Sequence, residues 1–174
     1  MKKVIPILVI VVVLIAACLA VFFLYPRPKG YIKIDTPGVR LNLSGGRFGE
    51  TKVTSAANAI PVTAGVYSPQ HLEIETQKGS DAWLMESTGP WGQLDQIKVE
   101  KDKTTTLKLG PPLAIKPTIN KIESRVLVAL AIFGQAGEQY RNVITKNSQP
   151  APTPNAKIVD EAGTVLASGK FEYG

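Results

Sequence analysis

Residues 31–43 read Tyr-Ile-Lys-Ile-Asp-Thr-Pro-Gly-Val-Arg-Leu-Asn-Leu. Ile32 and Ile34 fall on one face of an alternating pattern, Thr36-Pro37-Gly38 supplies turn chemistry, and Val39, Leu41 and Leu43 then alternate with Arg40 and Asn42. An apolar period of two on both sides of a turn predicts a β-hairpin with one buried face. The same signature recurs downstream. Strands are expected at 59–63, at 71–76 with Leu72 and Ile74 inward, at 82–87, at 94–100 with Ile97 and Val99 inward, and at 104–109 with Leu107 and Leu109 inward. Ala64-Gly65, Lys78-Gly79-Ser80, Gly89-Pro90 and Lys101-Asp102 separate them as turns. Short strands at this spacing read as a sandwich of antiparallel sheets.

Further along, Gly110-Pro-Pro-Leu-Ala-Ile-Lys-Pro-Thr118 holds three prolines, the mark of an edge strand or of a domain boundary. It is read here as a boundary. Arg125 to Phe133 is apolar after its first residue, and its Val and Ile content favours a central strand over a short buried helix. Another strand is expected at 140–145, a polyproline-like loop over Asn147-Ser-Gln-Pro-Ala-Pro-Thr-Pro-Asn155, and a closing hairpin. The soluble part thus divides into a β-sandwich domain at 31–112 and a smaller Ig-like all-β domain at 118–174, which is marginal alone and should lean on its neighbour or on a partner.

Upstream lies a different solvent problem. From Val4 to Leu24 no side chain is charged, amide-bearing or hydroxylated. As a helix this run would be about 30 Å long, the thickness of a bilayer's hydrocarbon. It also outlasts the ~7–15 apolar residues of a cleaved secretory signal. Residues 1–25 are therefore expected to be a transmembrane signal anchor, with the lipid bilayer as partner through residues 4–25, and 26–30 a Pro-rich spacer. Ile15-Ala16-Ala17-Cys18 resembles a lipoprotein lipobox, which makes Cys18 a candidate for lipidation. Against that, the apolar Leu19 to Tyr25 would open the mature chain where a polar tether belongs. Lys2 and Lys3 face Arg27, Lys29, Lys33 and Arg40 across the run, so charge alone does not set the topology. The length of the remainder and the Met-Lys-Lys opening favour an extracytoplasmic C-terminal part, periplasmic or on the cell surface. The expected fold class is all-β: an N-terminal transmembrane helix followed by one or two small antiparallel β-sandwich domains, Ig-like or prealbumin-like.

The net charge of +6 includes Lys2 and Lys3, and Lys98-Val-Glu-Lys-Asp-Lys103 alternates in sign, so no nucleic-acid partner is indicated. With Cys18 as the single cysteine, intrachain disulfides and cysteine-based zinc sites are excluded.

The stretches Gly30-Tyr-Ile-Lys-Ile-Asp-Thr-Pro-Gly-Val-Arg-Leu-Asn-Leu43, Val62-Thr-Ala-Gly-Val-Tyr67, His71-Leu-Glu-Ile-Glu75 and Ile97-Lys-Val-Glu-Lys-Asp-Lys-Thr-Thr-Thr-Leu107 resemble the transthyretin-like or carboxypeptidase-regulatory-like β-sandwiches. More narrowly they resemble the PEGA-type surface modules of bacteria, with Thr36-Pro37-Gly38-Val39 in place of the Pro-Glu-Gly-Ala signature. The C-terminal part looks like a generic bacterial Ig-like repeat. This resemblance implies a non-catalytic sandwich at the cell surface and transfers no functional residue.

His71 is the single histidine, followed by Glu73 and Glu75 on the same strand face. Same-face neighbours on a strand are ~6.6 Å apart, too far to close on one ion without another strand, so an exposed polar face is expected and no metal site. No nucleophile elbow, His-Glu-x-x-His or EF-hand pattern is present. No catalytic, cofactor or metal residues are therefore expected. Trp91, Trp83 and Tyr67 are the candidates for ligand binding, with core packing as the competing role for the tryptophans. The expected function is that of a non-catalytic, membrane-anchored envelope protein displaying sandwich domains for binding or scaffolding. Its partner would be an envelope protein or a glycan; the alternatives are a carbohydrate- or ligand-binding module and an accessory subunit of a secretion or transport complex.

Overall fold

The Thr36-Pro37-Gly38 turn does not close a hairpin; it passes the chain from one sheet to another. In the computed structural model, which describes residues 14–15, 27–45, 49–123, 125–141 and 143–172, the strands run in chain order from β1 (Lys29–Ile34) and β2 (Val39–Gly45) to β3 (Glu50–Thr54) and β4 (Ile60–Thr63). Next come the long β5 (Gly65–Lys78), β6 (Asp81–Ser87), a 3-10 turn at Gly92–Leu94, β7 (Ile97–Val99) and β8 (Thr104–Leu107). The last are β9 (Ala114–Ile122), β10 (Arg125–Phe133), β11 (Gln139–Tyr140), β12 (Thr145–Lys146), β13 (Gln149–Pro150), β14 (Asn155–Val159) and β15 (Val165–Lys170).

A three-stranded sheet has the order β4-β1-β8, and a larger one the order β13-β12-β6-β5-β2-β3 with β7 added beside β5. Both strands of the 31–43 motif form, yet β1 pairs with β4 and, in parallel, with β8, while β2 pairs with β3 and β5. The crossover is held by Thr36, whose hydroxyl donates to the Leu109 carbonyl, and by Gly38, whose carbonyl accepts from the Glu75 amide at 2.9 Å. Gly38 has φ +71°, and a Cβ there would lie 1.9 Å from the Glu75 carbonyl oxygen.

Between the sheets the alternating residues meet as expected. Ile32, Ile34, Val39, Leu41, Leu43, Leu72, Ile74, Ile97, Val99, Leu107 and Leu109 all belong to one buried cluster. Each such aliphatic side chain contributes roughly 1.5–3 kcal/mol relative to exposure. In β5 the inward parity changes midway: Tyr67 and Pro69 are buried, then Leu72 and Ile74. A bulge causes the change, because Leu43 pairs with Pro69 and Asn42 with His71, leaving Gln70 as the extra residue. Pro69, which cannot donate to a ladder, is tolerated at such an irregularity.

Strand pairing and hydrogen bonds cross the boundary expected near 112–118. Thr145 and Lys146 pair with Leu84 and Trp83, so β12 extends the large sheet, and Asn147 both donates to and accepts from Ala82. Glu138, fully buried, accepts from the amides of Gly110 and Ala136 and from the Tyr140 hydroxyl at 2.6, 2.9 and 2.8 Å. Around this joint Ala136 and Tyr140 complete the core of the first domain. What remains of the 118–174 stretch is two hairpins rather than a closed sandwich. β9 and β10 pair along nine residues with β11 beside β10, and β14 pairs with β15.

The fold class also needs correction at its N-terminus. The expected spanning helix over 4–25 lies outside the described residues except for Leu14 and Ile15, and among the described residues no helix is long and apolar enough to cross a membrane. The architecture that stands is a sandwich-like assembly of sheets with strand as its dominant state. Cys18 likewise lies outside the described residues.

Candidate functional site

Two surfaces carry unusual chemistry. The first is the outer face of the large sheet. Inward Leu72 and Ile74 force His71, Glu73 and Glu75 outward, and outward Arg40 stands opposite Glu73 on β2. On the other flank the two-residue Gly79-Ser80 turn pairs Lys78 with Asp81, a register that brings Glu86 directly opposite Glu73. Two like charges facing one another across strands repel, and the surrounding groups divide their oxygens. Arg40 Nε donates to Glu73 Oε2 at 2.7 Å, and a second nitrogen of Arg40 reaches Glu75 at 3.0 Å. Arg141, whose own amide donates to the Glu86 carbonyl, sets its guanidinium 3.9 Å from Glu86 Oε2. The inner oxygens face the imidazole: His71 Nε2 lies 3.1 Å from Glu73 Oε1 and 3.9 Å from Glu86 Oε1. Burial pushes the Glu73 carboxyl up, but the bonds from His71 and Arg40 outweigh it and hold its pKa below the ordinary value.

The second surface is formed by the hairpins. Opposed residues of an antiparallel pair share a face, so Ile115 with Ile132, Pro117 with Leu130, and Ile119 with Val128 make one apolar stripe on β9–β10. Ile115, Ile119 and Ile122 are 61–66% exposed. On β14–β15, Val159, Val165 and Leu166 are 50–66% exposed. A groove lined by Val126, Leu127, Ile158, Ala167 and Phe171 runs between the two hairpins. β9 is an edge of its sheet, which explains how Pro117 is accommodated.

The three aromatic candidates have separate fates. Tyr67 is buried at 2% exposure and donates its hydroxyl to the Thr63 carbonyl at 2.6 Å, so it is a core residue. Trp91 packs against the core from the loop after β6. Trp83 is half-buried under Lys146, whose Nζ lies 5.6 Å from the ring centroid and 2.8 Å from Asp81. The residues missed by sequence reasoning are Glu86, Arg40 and Arg141. For Glu86 the signal was present: counting five residues back along each strand from the Gly79-Ser80 turn opposes it to Glu73.

Comparison with protein families, with curated proteins and with solved structures returns no match to this chain.

Proposed function

We propose that the protein is a non-catalytic envelope protein that binds or scaffolds another protein through its two exposed hairpins. The observation behind this reading is the placement of apolar surface. Among the described residues, nine of the fifteen large apolar side chains that stay exposed lie on β9, β10, β14 and β15, which makes the hairpins a concentrated surface rather than scattered residues. Protein is the partner class best matched, because β9, β14 and β15 also present unpaired strand edges whose main-chain groups suit an added strand. Lys116 and Lys121 on β9 hinder indiscriminate edge pairing, as charged edge residues do. A glycan-binding reading has less behind it, since Tyr67 is committed to the core.

Site-specific photo-crosslinking in cells tests the proposal. A photoreactive residue at Ile119 or Leu166 should join the chain to one defined protein, whereas the same group at exposed Lys98 should not. The Ile119 adduct should be lost on Val126→Lys, since Val126 lies on the same face of the hairpin as Ile119 and lines the groove between the hairpins. Equal labelling from all three positions, or adducts only to a second copy of the chain, overturns the reading.

A further inference from the structure

We propose that His71, Glu73 and Glu86 form a binding site for a divalent transition-metal cation of the zinc class on the outer face of the large sheet. Three potential ligand atoms, one from each residue, lie within 4.8 Å of one another. Bonds of ~2.0–2.2 Å to imidazole nitrogen and carboxylate oxygen place tetrahedral ligands about 3.3 Å apart. The observed separations of 3.1 and 3.9 Å from His71 Nε2 to the two inner carboxylate oxygens bracket that spacing. Because 3.9 Å is beyond hydrogen-bond reach, Glu86 Oε1 makes no bond to the ring. A cation between the three atoms would satisfy both oxygens at once.

The surroundings fit this use. Consecutive same-face strand positions stand ~6.6 Å apart along the backbone, but the side chains of His71 and Glu73 close that gap to 3.1 Å, and the third ligand arrives from the neighbouring strand. Both elements are framework: β5 and β6 pair over seven registers from Leu72 to Lys78, so the relative placement of Glu73 and Glu86 is fixed by backbone. Arg40 and Arg141 act on the outer oxygens, Arg40 by a 2.7 Å bond, and leave the inner ones toward the histidine, as outer partners of metal ligands do. With a neutral imidazole, the three carboxylates of Glu73, Glu75 and Glu86 exceed the two guanidinium charges by one, a balance that favours a cation. One nitrogen and two oxygens suit zinc or a neighbouring first-row ion better than magnesium or calcium, which prefer all-oxygen sites. The side chains of all three remain 28–36% exposed, which leaves further coordination positions open to water or to an outside donor.

The test titrates the full chain, carrying Cys18→Ser to remove the single thiol, with zinc chloride by calorimetry. The imidazole signals are followed by NMR in the same samples. His71 is the only histidine, so those signals report this site alone. Zinc should bind at one equivalent and shift them, and magnesium should not. Glu86→Gln and Glu73→Gln should each weaken binding about tenfold or more, the least that loss of even an outer partner costs. Zinc that leaves the imidazole signals unmoved overturns the proposal. Affinity retained in both glutamate variants overturns it too, since the ion would then sit on a lone imidazole. His71→Gln, which leaves both carboxylates, gives a second measure: undiminished binding in it counts against the site even if a glutamate variant fails to fold.

Discussion

Glu138 Oε1 accepts a 2.6 Å hydrogen bond from the amide of Gly110, twenty-eight residues earlier in the chain. The same carboxyl also receives the Ala136 amide and the Tyr140 hydroxyl, so one buried side chain satisfies three donors at the joint between the first eight strands and the rest. Burial, and then the carboxyl beside it, push the Tyr140 phenol above its ordinary pKa. Each buried donor left unpaired costs about 1–3 kcal/mol. Glu138→Ala should therefore lower unfolding free energy by about 3 kcal/mol or more. Glu138→Gln, which keeps one acceptor oxygen, should cost less. Urea denaturation of both variants measures the difference, and equal midpoints would contradict the assignment.

Gly38 and Gly79 both sit at positive φ, +71° and +65°, but only Gly38 is pressed against backbone. At Gly79 an added Cβ meets nothing within 4 Å, so Gly79→Ala should cost about 1 kcal/mol, the price of a left-handed alanine. At Gly38 the Cβ would lie 1.9 Å from the Glu75 carbonyl, and the crossover between sheets would have to move. Gly38→Ala should destabilise by more than about 3 kcal/mol, the upper end of ordinary backbone strain. Thermal melts of the pair separate conformational cost from steric conflict.

The same turn shows where sequence reasoning reached its limit. Alternation and turn chemistry are local properties, and they found β1, β2, β4, β5, β6, β10 and the closing β14–β15 hairpin together with the inward residues of β7 and β8. Which strands pair is not local. Thr36-Pro37-Gly38 serves a hairpin and a crossover equally well, and the choice was made by Leu109 and Glu75, far away in the chain. β3 was missed because Val53 is the sole apolar residue in Glu50–Thr54. β12, only two residues long, is too short to show a pattern. At the outer face, His71 and Glu73 were legible as a polar array. The opposing Glu86 followed from hairpin register, while Arg141 depended on tertiary pairing that no local pattern encodes.

Core and hairpin should respond differently to truncation. Leu41 and Leu72 are fully buried, and Leu→Ala at either should cost about 2–5 kcal/mol through lost burial and a residual cavity. Ile119 is 66% exposed, and Ile119→Ala should stay within about 0.5 kcal/mol in the isolated chain. A large loss at Ile119 would show that the hairpin stripe is covered within the protein itself, and would remove the basis for a docking role. Chemical denaturation of the three variants decides this without a partner in hand.

Glu100 offers the clearest pH signature. Its carboxylate accepts from Lys103 Nζ at 2.5 Å and lies 2.9 Å from Lys98 Nζ, and these bonds, that from Lys103 first, lower its pKa to about 2. An unfolded glutamate titrates near about 4.3. Since the folded value is the lower one, the stabilisation is complete above the unfolded pKa and fades as pH falls through that value toward about 2. Glu100→Gln should therefore be the less stable protein at neutral pH, and the gap to the parent should close in strong acid. The group is solvent-exposed, so added salt should narrow the neutral-pH gap as well. Urea midpoints for the two proteins across pH, at low and high salt, measure both trends. A gap that persists unchanged in acid would mean that Glu100 stabilises by packing or backbone effects rather than by its charge.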